Sequence, residues 1–151
     1  MFASVAHMGL TVSDLDRSIR FYRDTLGLEW VGEMQMGGPE TAALFKREGC
    51  SARVGYLRTA DERAPLVELI QFLDVPAVKD EPSLFKTSIS EICFATDDID
   101  REYAALLEKG VEFLSEPQTF DSTQYGFGKS RAVYFFDPDR NVLELIQPVQ
   151  D

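Results

Sequence analysis

The sequence predicts an α+β fold built from two tandem βαβββ modules. Three observations carry this prediction: an internal repeat, the same order of strand and helix patterns in both halves, and a length of 151 residues with 44% apolar residues. A chain of this size is long enough to form one hydrophobic core, either as one domain or as two small halves that share the core. We therefore expect a single domain over residues 1–151, with module one at about 1–74, a linker at about 75–86 and module two at about 87–151.

The repeat is visible by direct comparison of the two halves. The segment HMGLTVSDLDRSIRFYRDTLGLEWVGE, which starts at His7, matches EICFATDDIDREYAALLEKGVEFLSEP, which starts at Glu91. The motif ELIQ closes both halves and aligns Glu68 with Glu144. A long repeat of this kind indicates two copies of one supersecondary unit.

The first half contains signals for one helix and four strands. VAHMGLTV alternates as a strand, and Asp14 can cap the helix DLDRSIRFYRDTLG, which ends at Gly27. LEWVGEM, ARVGYLRT and PLVELIQFL follow as strands, and MQMGGPETAALFKREG predicts a loop with a short helix. One helix covers one face of a sheet, so the other face must be buried by the matching module or by a partner chain.

The second half repeats these elements with one interruption. SISEICFAT, VEFLSEP, RAVYFF and NVLELIQP are predicted strands, and DIDREYAALLEKG is the predicted helix. The segment TFDSTQYGFGKS, residues 119–130, predicts a loop that carries Tyr125 and Phe127. This loop is either a lid or wall over a substrate, or an ordinary surface loop.

Composition bounds the functional class. The net charge of −11 argues against binding to nucleic acid or an anionic membrane. No apolar run approaches the ~18 residues of a membrane span, and MFASVAHMGL lacks a signal-peptide pattern, so we expect a soluble, cytoplasmic protein. Cys50 and Cys93 fit neither a disulfide framework nor a paired-cysteine metal motif, and we expect both to be reduced, with Cys93 in the core.

The repeat places metal-capable side chains at two matched points. His7 and Glu91 fall in the middle of the first predicted strand of each module, and Glu68 and Glu144 fall in the last strand, all among apolar neighbours. Burial of an unpaired carboxylate costs on the order of tens of kcal/mol by the Born estimate, so these groups need compensation. Arginine, protonation, water or a divalent cation can supply it, and four matched residues favour a metal.

Two further matched pairs lie in the strands between these points. Arg53 aligns with Arg131, and Tyr56 aligns with Tyr134. The arginines are candidates to bind a substrate carboxylate, to pair with the buried glutamates, or to face solvent. We include both pairs, with Tyr125 and Phe127, among the candidate substrate-binding residues.

The segments HMGLTVSDLDRSIRFYRDTLGL and YFFDPDRNVLELIQP resemble the vicinal oxygen chelate superfamily of glyoxalases, bleomycin-resistance proteins and extradiol dioxygenases. The resemblance spans nearly the whole chain. It implies an open cup-like mixed sheet around a divalent metal, a small-molecule substrate and a homodimer. The implied metal ligands are His7, Glu68, Glu91 and Glu144. Arg140 stands where the family usually has Gly.

Glu91 departs from the family pattern, which usually has His at that position. With a single His in the chain, the triad of two His and one carboxylate that the dioxygenases use around iron is excluded. Fosfomycin-resistance enzymes are excluded in the same way. Bacterial glyoxalase I resembles HTMLRV at its start, with Arg where this chain has Thr11, so the glutathione reaction ranks lower.

An oxygen-rich ligand set suits Mn, Co, Ni, Mg or Fe ahead of Zn. We therefore expect a metal-dependent epimerase or isomerase that abstracts a proton next to a carbonyl through a metal-stabilised enolate, with Glu68 and Glu144 as the two catalytic bases. An acyl-CoA thioester, a keto-sugar or a keto-cyclitol would fit as substrate. The alternatives are a non-catalytic drug-binding protein of the bleomycin-resistance kind and a glyoxalase I-like lyase.

Overall fold

The computed structural model describes residues 3–78 and 80–149. The chain divides into two compact units, Met1–Asp80 (unit 1) and Glu81–Asp151 (unit 2), and the boundary falls within the predicted linker. Each unit contains one four-stranded mixed sheet with the same strand order, which confirms the tandem βαβββ prediction. Among the described residues, no helix is both long enough and apolar enough to cross a membrane.

Unit 1 forms one mixed sheet with two helices. Its elements are β1 (His7–Thr11), α1 (Leu15–Arg20), β2 (Glu29–Met36), α2 (Pro39–Phe45), β3 (Ala52–Arg58) and β4 (Leu66–Phe72). The sheet order is β1-β4-β3-β2, with β1 parallel to β4 and the other pairs antiparallel. A π-helical turn, Phe21–Thr25, extends α1 to give the longer predicted helix.

Unit 2 repeats the same topology. Its elements are β5 (Ile92–Ala95), α3 (Ile99–Glu108), β6 (Gln118–Asp121), a short 3-10 turn (Thr123–Tyr125), β7 (Lys129–Phe136) and β8 (Val142–Val149). The sheet order is β5-β8-β7-β6, again with the first pair parallel.

The edge strand of unit 2 differs from its prediction. VEFLSEP forms only an isolated bridge between Phe113 and Phe135, and β6 instead pairs with β7 within the segment that we predicted as a loop. Pro117 has no N–H to donate to a ladder, whereas Thr119 and Phe120, which follow it, suit a strand. The predicted loop is therefore shorter and joins two paired strands.

The helices α1 and α3 begin with the same pair of hydrogen bonds. In unit 1, the Asp14 carboxylate accepts from the backbone N–H three residues further on, and Gln71 of β4 accepts from the N–H of Leu15 at 2.9 Å. Asp98 and Gln147 make the equivalent bonds to α3 in unit 2. The glutamine of ELIQ thus joins the start of each helix to the last strand, and that contact fixes which face of the strand the helix covers.

Strand alternation then separates two faces. Val67 and Leu69 lie on the same side of β4 as Gln71 and are buried beneath α1, so Glu68 projects from the opposite side. In unit 2, Gln147 and the buried Leu145 define the side that α3 covers, and Glu144 projects from the other. We call the two carboxylate-bearing surfaces the Glu68 face and the Glu144 face.

Candidate functional site

The Glu68 face brings three polar side chains together. Tyr56 lies directly opposite Glu68 in the β3–β4 register, and its hydroxyl donates to Glu68 Oε2 at 2.7 Å. His7 Nε2 lies 3.7 Å from the same oxygen, and its ring meets the Tyr56 ring edge-on. The sequence predicted each of these residues as a site residue, and the structure places all three in one cluster.

Burial in this cluster differs from the prediction. His7 is the first residue of β1 rather than its middle, and its side chain is 46% exposed, whereas that of Glu68 is 17% exposed. Within unit 1 the polar groups are therefore only partly removed from water. The compensation that we expected for Glu68 comes from the phenol of Tyr56, a partner that the sequence did not identify.

The contact with Glu68 changes the pKa of Tyr56. The hydrogen bond to Glu68 raises the pKa of Tyr56 to about 12, with further contributions from burial and from the carboxylate charge. Tyr56 is thus a neutral hydrogen-bond donor at physiological pH. On the other side of Glu68, Oε1 lies close to Gly9 of β1: a Cβ at that position would stand only 3.1 Å from the oxygen, so glycine lets the carboxylate lie against β1.

The Glu144 face repeats this arrangement with one substitution. Tyr134 lies opposite Glu144 as Tyr56 does opposite Glu68, but Cys93 occupies the place of Gly9. The pKa of Cys93 is raised to about 12 by partial desolvation, by a hydrogen bond with Glu144 and by the charges of Glu144 and Glu91. The pKa of Tyr134 is also raised, first by burial and then by the charges of Glu144, Glu91 and Cys93.

Two predictions in this half were wrong. Cys93 is exposed rather than in the core, because Ile92 takes the buried side of β5 and alternation turns Cys93 to the Glu144 face. Glu91 precedes β5 instead of occupying its middle, and it is half-buried. Its charge nevertheless acts on Cys93 and Tyr134, which places the Glu91 carboxylate near the Glu144 face.

The matched arginines have structural partners. Arg53 donates to Glu33 at 2.7 Å and to Asp16 at 2.8 Å, and Arg131 binds Asp100. By strand register, both lie on the helix-covered sides of their sheets, opposite the Glu68 and Glu144 faces. The partners observed in the structure are therefore the carboxylates of neighbouring elements, and not the site glutamates.

The aromatic loop between β6 and β7 has an ordered backbone. The N–H of Ser122 donates to the carbonyl of Gly128 at 2.8 Å, and Asp121 accepts from the N–H of Thr123 at 3.0 Å. Its tip exposes Tyr125 and Phe127 at 71% and 85%. The loop therefore presents two aromatic rings to solvent. This exposure is compatible with a lid or wall over a substrate and with an ordinary surface loop.

Comparison with known proteins decides the family. A model of the glyoxalase/bleomycin resistance protein/dioxygenase superfamily matches residues 4–145. The chain belongs to this superfamily. Its members include metal-dependent enzymes such as glyoxalase I, and they typically bind a divalent metal and act on small molecules.

Individual members of the superfamily are similar over most of the chain. The uncharacterized protein YwkD of Bacillus subtilis is 28% identical over 97% of this chain and 98% of its own length. A lactoylglutathione lyase of Schizosaccharomyces pombe is 24% identical over 93% of this chain, which corresponds to 46% of the lyase. The solved structure of a glyoxalase family protein from Bacillus cereus covers 99% of this chain, with a TM-score of 0.83, 20% identity and 97% of that protein matched.

Two donor atoms of unit 1 lie at a separation close to that of two ligands on one metal ion. Ligand atoms about 2.1 Å from one ion stand roughly 3.0–3.4 Å apart, and His7 Nε2 lies 3.7 Å from Glu68 Oε2. This separation is too long for a hydrogen bond but close to the spacing of two ligands. Across residues 3–78 and 80–149, no three His, Cys, Asp or Glu side chains form a group that could hold a metal ion. The four-ligand site thus stays a prediction, and the separation of His7 and Glu68 is compatible with it.

Proposed function

We propose that this protein is a divalent-metal-dependent epimerase or isomerase that abstracts a proton next to a carbonyl. The observation that supports the proposal is the matched placement of Glu68 and Glu144, each on the sheet face opposite α1 or α3 and each paired with a tyrosine of the neighbouring strand. An acyl-CoA thioester, a keto-sugar or a keto-cyclitol is the proposed substrate class.

The proposed metal ligands are His7, Glu68, Glu91 and Glu144. Mn, Co, Ni, Mg or Fe suits this oxygen-rich set better than Zn does. When bound, the divalent ion would supply Lewis-acid stabilisation of negative charge on the substrate. Three ionised carboxylates against one dication leave a net charge of about −1, which favours the presence of a carboxylate that can act as a base.

Glu68 and Glu144 are the proposed proton-transferring groups. Tyr56 holds Oε2 of Glu68 through its hydroxyl, and Oε1 lies against Gly9. A carboxylate held in one orientation is suited to receive a proton from a substrate carbon within hydrogen-bond reach. Glu144 is its counterpart in the repeat, and we propose it as the second proton-transferring group.

Solvent exchange tests the proposal directly. We would incubate an α-branched acyl-CoA thioester and a keto-cyclitol in deuterated buffer with Mn²⁺ and follow incorporation next to the carbonyl by NMR. The wild type is expected to exchange the proton, and Glu68→Gln and Glu144→Gln to slow exchange by about 10²–10⁴-fold. Glu108→Gln, which changes an exposed carboxylate at the end of α3, is the control. Exchange that is equal in all four proteins would contradict the assigned roles.

A glyoxalase I-like lyase is the second candidate, because one relative is a lactoylglutathione lyase. Against this candidate, Thr11, an exposed residue at the end of β1, stands at the position where the bacterial glyoxalase I pattern HTMLRV has Arg. The glutathione hemithioacetal of methylglyoxal distinguishes the candidates: its conversion by the wild type, without exchange in the thioester or the cyclitol, would favour the lyase. A metal-free protein that binds a cationic drug would instead favour the bleomycin-resistance-like alternative, which the net charge of −11 suits.

We also propose that the protein is a homodimer. The edge strands β2 and β6 carry exposed apolar side chains, among them Met34 at 46% and Phe120 at 52%. Exposed strand edges of this kind favour pairing with another chain. Light scattering coupled to size-exclusion chromatography is expected to give twice the chain mass, and a monomer mass at micromolar concentration would rule the dimer out.

A further inference from the structure

Unit 2 contains a cavity of about 140 Å³ at one end of the Glu144 face. No lining residue is charged; the lining consists of Pro82, Ser83, Leu84, Phe85, Leu114, Phe136 and Val142. The single hydroxyl among them, that of Ser83, accepts a hydrogen bond from the N–H of Phe85. The cavity is open to solvent, since Phe85 is 98% exposed and Leu114 53%, and its volume is close to the roughly 150 Å³ of an enclosed apolar cavity that binds benzene.

The floor of the cavity adjoins the candidate catalytic carboxylate. Phe136 pairs with Val142 in the β7–β8 register, and the next pair on the same face is Tyr134 with Glu144. Residues two apart on a strand lie about 7 Å apart and point the same way. A molecule with its reacting carbon at Glu144 would therefore reach the cavity with a substituent of two to four carbons.

The turn that joins the two floor residues is rigidly held. Asp137 is 4% exposed, and its carboxylate accepts from the N–H groups of Asp139 and Asn141 at 2.9 and 2.8 Å and from the Asn141 side chain. The guanidinium of Arg140 stacks on the Phe136 ring at 4.4 Å. A floor fixed before binding lowers the ordering cost of taking up a ligand.

We propose that this cavity binds an apolar substituent of the substrate, up to about the size of an isobutyl or phenyl group. This inference rests on the proposed function, because the continuity with Glu144 identifies the occupant as part of the molecule on which that carboxylate acts. It favours substrates whose carbonyl carries a branched or extended hydrocarbon arm over polyhydroxylated sugars and cyclitols, because only a hydrocarbon arm buries apolar surface against this lining.

A chain-length series tests the proposal with the full-length protein and Mn²⁺. The probes are pyruvate, α-ketobutyrate and α-ketoisocaproate, with Kd measured by titration calorimetry. Each buried methylene is worth about fourfold in affinity, so α-ketoisocaproate is expected to bind about 60-fold more tightly than pyruvate. Leu84→Trp, which fills the cavity from its wall, is expected to remove that gain and to leave pyruvate binding unchanged.

Two leucines give a matched control. Leu114 lines the cavity and is 53% exposed, whereas Leu107 on α3 is 46% exposed and lies outside the lining. Leu114→Ala is expected to reduce the gain from chain length several-fold, and Leu107→Ala to leave it intact. Equal affinities along the series, or equal effects of the two alanine variants, would overturn the cavity assignment while the proton-abstraction proposal stands.

A second probe separates failure of the cavity from failure of the proposed function. If none of the keto acids binds, isoamyl alcohol, which carries the apolar arm alone, is titrated while the methyl signals of Leu84, Leu114 and Val142 are followed by NMR. Shifts confined to these methyls would support the cavity and count against the carbonyl substrate class. Unchanged methyl signals would overturn the cavity proposal as well.

Discussion

Replacement of Tyr56 by Phe removes one hydroxyl from the Glu68 face and leaves the ring in place. The lost bond is 2.7 Å long and its acceptor is a carboxylate that is 17% exposed. Hydrogen bonds to charged groups contribute about 1.5–3 kcal/mol, and partial exposure places this one at about 1–2 kcal/mol. For a chain of this length, Tyr56→Phe is expected to lower Tm by about 2–8 °C.

The stabilisation that the Tyr56 hydroxyl provides should decrease at high pH. The pKa of Tyr56 is about 12 in the folded protein, against about 10 in the unfolded chain. A phenol whose pKa is raised on folding contributes its full stabilisation below pH ~10, and the contribution is lost as the pH rises through ~12. The difference in stability between the wild type and Tyr56→Phe should therefore be constant from neutral pH to about 10 and then shrink.

Urea denaturation at a series of pH values measures this difference. Tyr125→Phe is the control, since Tyr125 is 71% exposed in the folded protein. Equal stability of the wild type and Tyr56→Phe at neutral pH would contradict a stabilising Tyr56–Glu68 hydrogen bond. So would a difference that persists unchanged above pH 12.

Three further predictions concern Arg140, Arg53 and the two cysteines. Arg140 has a left-handed backbone with φ of 65°, so Arg140→Gly should be more stable than Arg140→Ala by about 1 kcal/mol, as measured by chemical denaturation, although both lose the same side-chain contacts. Arg53→Ala should lower Tm more at low than at high salt, because the side chain binds two carboxylates, and equal losses would argue for a packing role. A thiol reagent at pH 8 should label Cys93 slowly, because its pKa is about 12, and faster in Glu144→Gln; labelling of Cys50 should require unfolding, because that thiol is buried.

Local signals predicted the helices and most strands. The Asp14 cap, the apolar spacing of the helix and Gly27 at its end are chemical features of consecutive residues, and the structure has the capping bond and a φ of 79° at Gly27. The edge strand of unit 2 depended instead on which segment matched the register of β7. VEFLSEP and Gln118–Asp121 both had strand character, and pairing over a distance in the sequence decided between them.

The sequence supplied the candidate residues of the site but not their contacts. The repeat identified His7, Glu68, Glu91 and Glu144 because matched polar residues in apolar strands are unusual. That Tyr56 is the partner of Glu68 follows from strand register, which a single sequence does not specify. The position of Cys93 was available from alternation, since Ile92 is the stronger candidate for the buried side.

Elemental analysis of protein purified without chelator tests whether this chain binds a divalent metal at the proposed ligands. About one divalent ion per chain is expected in the wild type and in the control Glu108→Ala, and its loss in both Glu91→Ala and Glu144→Ala. A thermal-shift titration with Mn²⁺, Co²⁺, Ni²⁺, Zn²⁺ and Mg²⁺ would accompany it, since a bound ion stabilises the folded chain. Absence of metal from the purified protein, together with a Tm that none of these ions changes, would contradict the metal-dependent mechanism.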